Sequence, residues 1–144
     1  MKQNEITVEL LITDFQCSPE EISKILDLSP SGGWEKGDIV ESVVPRSRKI
    51  IRKENCWFLE PKPESKNGSI EEQSKSIFQI IGSKIKNFKN LPLNAYIELS
   101  CCMYIYDQNI MPEIHLNNKI TKNLALINSE FDLDLYCLTQ LPKK

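Results

Sequence analysis

From residue 5 to residue 15 the chain reads EITVELLITDF, with Val8, Leu10 and Ile12 set against Thr7, Glu9, Leu11 and Thr13. That period of two predicts a strand with one well-buried face. The following CSPEEISKILDL changes period. Ser18 is placed as an N-cap, Pro19 suits the first helical position, and Glu21 completes a capping box. A helix is therefore predicted from about Pro19 to Asp27, with Ile22, Ile25 and Leu26 on its apolar face, and Ser29-Pro30 ends it. Residues 31–38, SGGWEKGD, read as a connection, and DIVESVV as a second strand. PRSRKIIRK, broken by Pro45, is a hairpin loop or a ragged strand end, and ENCWFLEP is a third, short strand.

After the loop PKPESKNG the helical period returns in its clearest form. Ser69 is the cap, Glu72 completes a second capping box, and Ile70, Ile77, Ile81, Ile85 and Phe88 line one side. This helix is expected to run to Asn90, before Pro92. AYIELSCCMYIYD gives the fourth and longest strand, and DQNIMPEIH a turn with a short extended piece. NNKITKNLALIN makes a third helix with Ile120, Leu124 and Ile127 on one face, and FDLDLYCL closes the chain as a fifth strand. The order β-α-β-β-α-β-α-β predicts an α+β fold: a mostly antiparallel sheet with helices packed on one face. Its first six elements match the ferredoxin-like βαββαβ order, with an αβ unit added.

The chain has 144 residues, 40% hydrophobic and 26% charged, so residues 1–144 are read as a single domain large enough for its own core. Eighteen basic residues stand against 20 acidic ones, for a net charge of −2. A nucleic-acid binder is expected to show a basic excess instead. The apolar run near the start is short and broken by Glu9, and no run approaches the roughly eighteen residues that span a bilayer. The expected location is therefore cytoplasmic, with no membrane partner. Five cysteines, two of them adjacent, and a single histidine, His115, supply no zinc spacing. The cysteines read as free, mostly buried thiols, and no cofactor is expected.

Strand parity then sorts the remaining chemistry. Leu99, Cys101, Met103 and Ile105 share one side of the fourth strand, and Phe131, Leu133, Leu135 and Cys137 one side of the fifth. The opposite side carries Tyr104, Tyr106, Asp132, Asp134 and Tyr136, joined by Glu9 of the first strand. If the helices cover the apolar side, these six residues face outward. An ordinary solvated sheet face explains them, and so does a contact surface, where tyrosine is enriched and carboxylates steer a basic partner. A glycosidase-type pair among Glu9, Asp132 and Asp134 lacks the apolar pocket needed to raise one pKa.

SGGWEKGD also invites a phosphate-loop reading, but its glycines follow a helix rather than precede one. Leu28, Pro30, Ser31, Trp34, Lys36, Gly37 and Asp38 form an L-x-P-S-x-x-W-x-K-G-D series. With the SPEEI helix start before it, Arg48, Trp57 and Leu59 after it, and Asp132, Asp134 and Tyr136 near the end, the series resembles the bacterial family known as domain of unknown function 4279. The resemblance covers nearly the whole chain and departs from the family at Gly32-Gly33 and in the basic stretch Arg46 to Lys53. It implies a fold and no agreed activity.

The residues support a non-enzymatic recognition protein that binds a protein partner through Glu9, Tyr104, Tyr106, Asp132, Asp134 and Tyr136. An immunity-type inhibitor of a basic toxin is one form of it, and self-association stays open. The alternative is a small-ligand or anion-binding regulatory domain whose pocket is built from Trp34, Lys36, Asp38, Arg46, Arg48 and Trp57.

Overall fold

The structure is a computed structural model that describes residues 2–40 and 50–138. Five strands form one mixed sheet in the spatial order β2-β5-β1-β6-β7: β1 (Glu5–Thr13), β2 (Gly32–Trp34), β5 (Cys56–Leu59), β6 (Tyr96–Ile105) and β7 (Glu130–Cys137). All neighbouring pairs are antiparallel except β6 and β7. Two further short strands, β3 (Ile39–Val40) and β4 (Ile50–Ile51), pair in a separate sheet.

Three α-helices sit on one side of the larger sheet. The first, α1 (Pro19–Leu26), starts where Ser18 Oγ accepts from the Glu21 amide, and ends at Asp27, whose φ of 56° turns the chain out of the helix. In α2 (Ile70–Ile81), Ser69 caps the Glu72 amide in the same way. In α3 (Asn118–Leu126), the Asn117 side chain accepts from Ile120. Each cap satisfies an amide that the first helical turn leaves without an intrahelical partner.

One apolar cluster joins the helices to the sheet. Val8, Leu10 and Ile12 of β1, Trp57 and Leu59 of β5, and Leu99, Cys101, Met103 and Ile105 of β6 meet Ile22, Leu26, Ile70, Ile77, Ile81, Ile120 and Leu124. Burying a side chain of this size stabilises by about 1.5–3 kcal/mol, so the alternation in β1 and β6 fixes which face turns inward.

Four expectations change. SGGW is not a connection: Gly32–Trp34 is an edge strand paired with β5, and of the strand expected over 38–44 the structure places Ile39–Val40 in the small sheet, while 41–44 lie outside the described residues. The long second helix stops being α-helical at Gly82, whose φ of 49° breaks the ladder, and continues as a 3-10 run over Gly82–Asn90. Ile85 and Phe88 still pack on the core. Of the five cysteines only Cys56 and Cys101 are buried, while Cys137 is exposed. Finally, β7 is covered only in part, at Leu133, which packs against the core. Phe131 is 40% exposed and Leu135 48%, although both point to the helix-bearing side of the sheet.

Candidate functional site

Strand register builds the uncovered face row by row. Leu11, Glu98 and Glu130 lie abreast on β1, β6 and β7. The next rows are Glu9, Ser100 and Asp132, then Thr7, Cys102 and Asp134, then Glu5, Tyr104 and Tyr136. Strands about 4.8 Å apart bring the members of each row within side-chain reach. Of the residues chosen from sequence, Glu9, Tyr104, Asp132, Asp134 and Tyr136 therefore share one continuous surface. Asp132, Asp134 and Tyr136 are exposed, and Glu9 and Tyr104 are half-buried. Tyr104 and Tyr136 stack with ring centroids 5.3 Å apart and planes at 16°.

Tyr106 lies just past the end of β6. Its hydroxyl accepts from Lys2 Nζ at 3.0 Å, and the same ammonium sits 4.4 Å from the ring centroid. Lys2 also reaches Glu5 at 3.4 Å. This corner is charge-balanced, unlike the middle of the face.

Two further members of the surface, Tyr96 and Glu130, lie outside the sequence reading, and Glu98 joins them. The Tyr96 hydroxyl lies 2.9 Å from Glu98 Oε1 and 2.7 Å from Glu130 Oε2. The two carboxylates hold that phenol proton, Glu130 first, and raise the Tyr96 pKa well above its ordinary value. Parity places Glu98 outward from sequence alone, but Glu130 was left outside the predicted fifth strand, so the triplet could not be assembled. Glu9 has a raised pKa, first because burial disfavours its charge and then because of Glu60, with Lys66 partly offsetting both. Among the described residues no salt bridge reaches Glu98, Glu130, Asp132 or Asp134. The result is a field of one sign on an open surface, suited to attracting cations or a basic protein.

The glycine-tryptophan segment is built differently. Ser31 donates its amide to the Phe58 carbonyl at 2.9 Å, and its Oγ accepts from the Glu60 amide at 2.7 Å. Asp38 Oδ2 accepts from the Glu35 amide at 2.8 Å, closing the turn that Gly37 makes at φ 94°. The Lys36 amide donates to Asn55 Oδ1 at 2.7 Å, and Asn55 Nδ2 in turn holds the Phe15 and Cys17 carbonyls. Ser31 thus ties the start of β2 to β5, while Gly37 and Asp38 shape the turn after β2 and exchange backbone hydrogen bonds with Arg52.

Trp34 and Trp57 lie on opposite faces of the sheet. Trp34 shares its side with Phe58 and Cys56, and its ring centroid is 6.1 Å from that of Phe58. Trp57 is fully buried in the core and donates Nε1–H to Ser23 Oγ of α1 at 3.0 Å. The cation over Trp34 is Arg52, 3.7 Å from the ring centroid. Arg46 and Arg48 lie outside the described residues. The depression beside Trp34, about 420 Å³, is lined by Glu20, Glu35 and Asp38, which repel an anion. Of the described members of the expected tryptophan-arginine pocket, Trp34 and Asp38 border this depression, and Trp57 lies apart in the core.

His115 Nδ1 is 3.2 Å from Glu71 Oε1 on α2, across the sheet from the carboxylate rows. Burial pushes the thiols of Cys56 and Cys101 up to about 12, which keeps them protonated and unreactive. Among the described residues no group of three or more His, Cys, Asp or Glu side chains could hold a metal ion, and no helix is long and apolar enough to cross a membrane.

Residues 4–138 match the family described as Domain of unknown function (DUF4279), and the chain belongs to that family. No curated protein and no solved structure matches it.

Proposed function

We propose that this member of the DUF4279 family is a recognition protein that binds a basic protein partner through the uncovered face of β1, β6 and β7. The observation that carries the reading is the one-sidedness of the sheet. Helices and core occupy one face, while Glu98, Glu130, Asp132 and Asp134 on the other lack salt-bridge partners among the described residues. Stacked Tyr104 and Tyr136 add rigid amphipathic area beside that charge, the residue type that interfaces favour. A long-range acidic field raises the rate of encounter with a basic partner and falls with salt. An immunity-type inhibitor, laid over the basic active site of a toxin inside the cytoplasm, is a specific form of this reading.

The test is affinity capture from the native host with the natural chain and with Asp132→Lys/Asp134→Lys in parallel. A basic protein held by the natural chain and released by the double variant is the expected result. An unchanged set of captured proteins would remove this face from consideration.

A further inference from the structure

The outer edge of β7 has properties that the acidic face alone does not explain. β7 ends the sheet, all its register pairs are to β6, and no described strand lies beyond it. Natural sheets blunt such an edge with proline, lysine, a bulge or a very short strand. The opposite edge follows that rule: β2 has three residues, two of them glycine. By contrast, β7 runs for eight residues, EFDLDLYC, with no proline, glycine, lysine or arginine, and the charges that guard it are all acidic, which repel a like strand and not a basic one. Its two sides also differ. Phe131, Leu133 and Leu135 point to the helix-bearing side, with Phe131 and Leu135 left in solvent, and Glu130, Asp132 and Asp134 point to the other.

Resting on the reading above, we propose that β7 is a docking edge to which an extended segment of the partner adds as a further strand, with lysine or arginine alternating with apolar residues. Directly opposed residues of neighbouring strands share a face, with Cβ atoms about 4.5–5.5 Å apart. A segment of that pattern places its cations over Glu130, Asp132 and Asp134 and its apolar side chains over Phe131 and Leu135, while its backbone pairs with the edge of β7 turned away from β6. Charge disfavours a second copy of this chain. A symmetric antiparallel pair of β7 strands keeps each face on its own side, so Asp132 of one copy meets Asp134 of the other.

The probe is a capped peptide, Lys-Val-Lys-Val-Lys-Val-Lys, with two controls: the same residues in block order, and the alternating peptide with every second backbone nitrogen methylated. Binding is measured by titration calorimetry, and amide hydrogen exchange is followed along β7. The alternating peptide should bind at least tenfold more tightly than either control and slow the exchange of those β7 amides that do not bond to β6. Equal affinity for the block-order or methylated peptide, or unchanged exchange in β7, overturns strand addition. Partner capture that is still lost in Asp132→Lys/Asp134→Lys would then leave the acidic-face reading standing by itself. A dimer of the natural chain in sedimentation that Phe131→Lys dissociates would put a second copy at this edge and likewise overturn the proposal.

Discussion

A methyl group added at position 33 is the sharpest probe of how the tryptophan segment is held. A Cβ built on Gly33 falls 2.5 Å from the Cys56 carbonyl oxygen, whereas ordinary contact begins near 3.4 Å. The obstacle is the backbone of the adjacent strand, so relief requires β2 and β5 to separate by several tenths of an ångström. Three register pairs, Gly32 with Phe58, Gly33 with Trp57 and Trp34 with Cys56, depend on that spacing. Overpacking of this kind costs about 1–3 kcal/mol, and about 2 kcal/mol is expected for Gly33→Ala. An unfolding entropy of about 2.1 cal/mol/K per residue gives roughly 0.3 kcal/mol/K for a chain of this length, so Tm should fall by about 7 °C. Gly32→Ala is the control. Its Cβ also meets an atom at 2.5 Å, but that atom is the far end of the half-buried Phe58 ring, which can swing aside. A loss of about 1 kcal/mol or less is expected there. Thermal melts followed by circular dichroism measure both. Equal losses, or a larger one for Gly32→Ala, would refute the pairing of β2 with β5 as described.

Three further outcomes follow from the same geometry. Ser23→Ala removes the acceptor of the buried Trp57 Nε1–H and should cost about 1–2 kcal/mol in denaturant unfolding; a loss under about 0.3 kcal/mol would mean that the indole is satisfied elsewhere. Folding raises the Glu9 pKa above its ordinary 4.5, so the native state holds this proton more tightly than the unfolded chain does. Stability from this group is present below about pH 4.5 and lost as pH rises through the raised value. Glu9→Gln should therefore increase Tm at pH 7 and give no increase at pH 4, and the same gain at both would contradict the burial of that carboxylate. A thiol reagent under native conditions should label Cys137 quickly and spare Cys56 and Cys101, whose thiols are buried and pushed up to about 12; rapid labelling of either, read by mass spectrometry of peptides, would contradict the core.

Local chemistry is what the sequence expressed well. Ser18, Ser69 and Asn117 begin helices because a short polar side chain must satisfy the first free amides, a requirement visible within four residues. Period-two runs in β1 and β6 announced both the strands and the side each would bury, since a slip of one residue would expose the whole apolar set. Alternation in β1, β6 and β7 is likewise what selects the six face residues, five of which share the surface. Glu130 was missed because a strand boundary was drawn one residue late, and with it went the bond to Tyr96.

Partners distant in the chain belong to the tertiary structure. Nothing within SGGW says that it will pair with residues 56–58, because the hydrogen bonds that hold this segment join residues 19 and 29 positions apart, Lys36 to Asn55 and Ser31 to Glu60. The two tryptophans, similar on paper, went to opposite faces because Trp57 shares the side of Leu10 and Ile12 while Trp34 does not. Alternation in β7 promised a buried side that is covered only at Leu133, while Phe131 and Leu135 stay exposed and α3 spends Ile120 and Leu124 on the core beside α2. Sequence by itself determined where the three α-helices start and which faces of β1 and β6 turn inward, because caps and hydrophobic period are local. The tertiary structure alone decided which faces found cover, because burial depends on what else the chain brings to the same place.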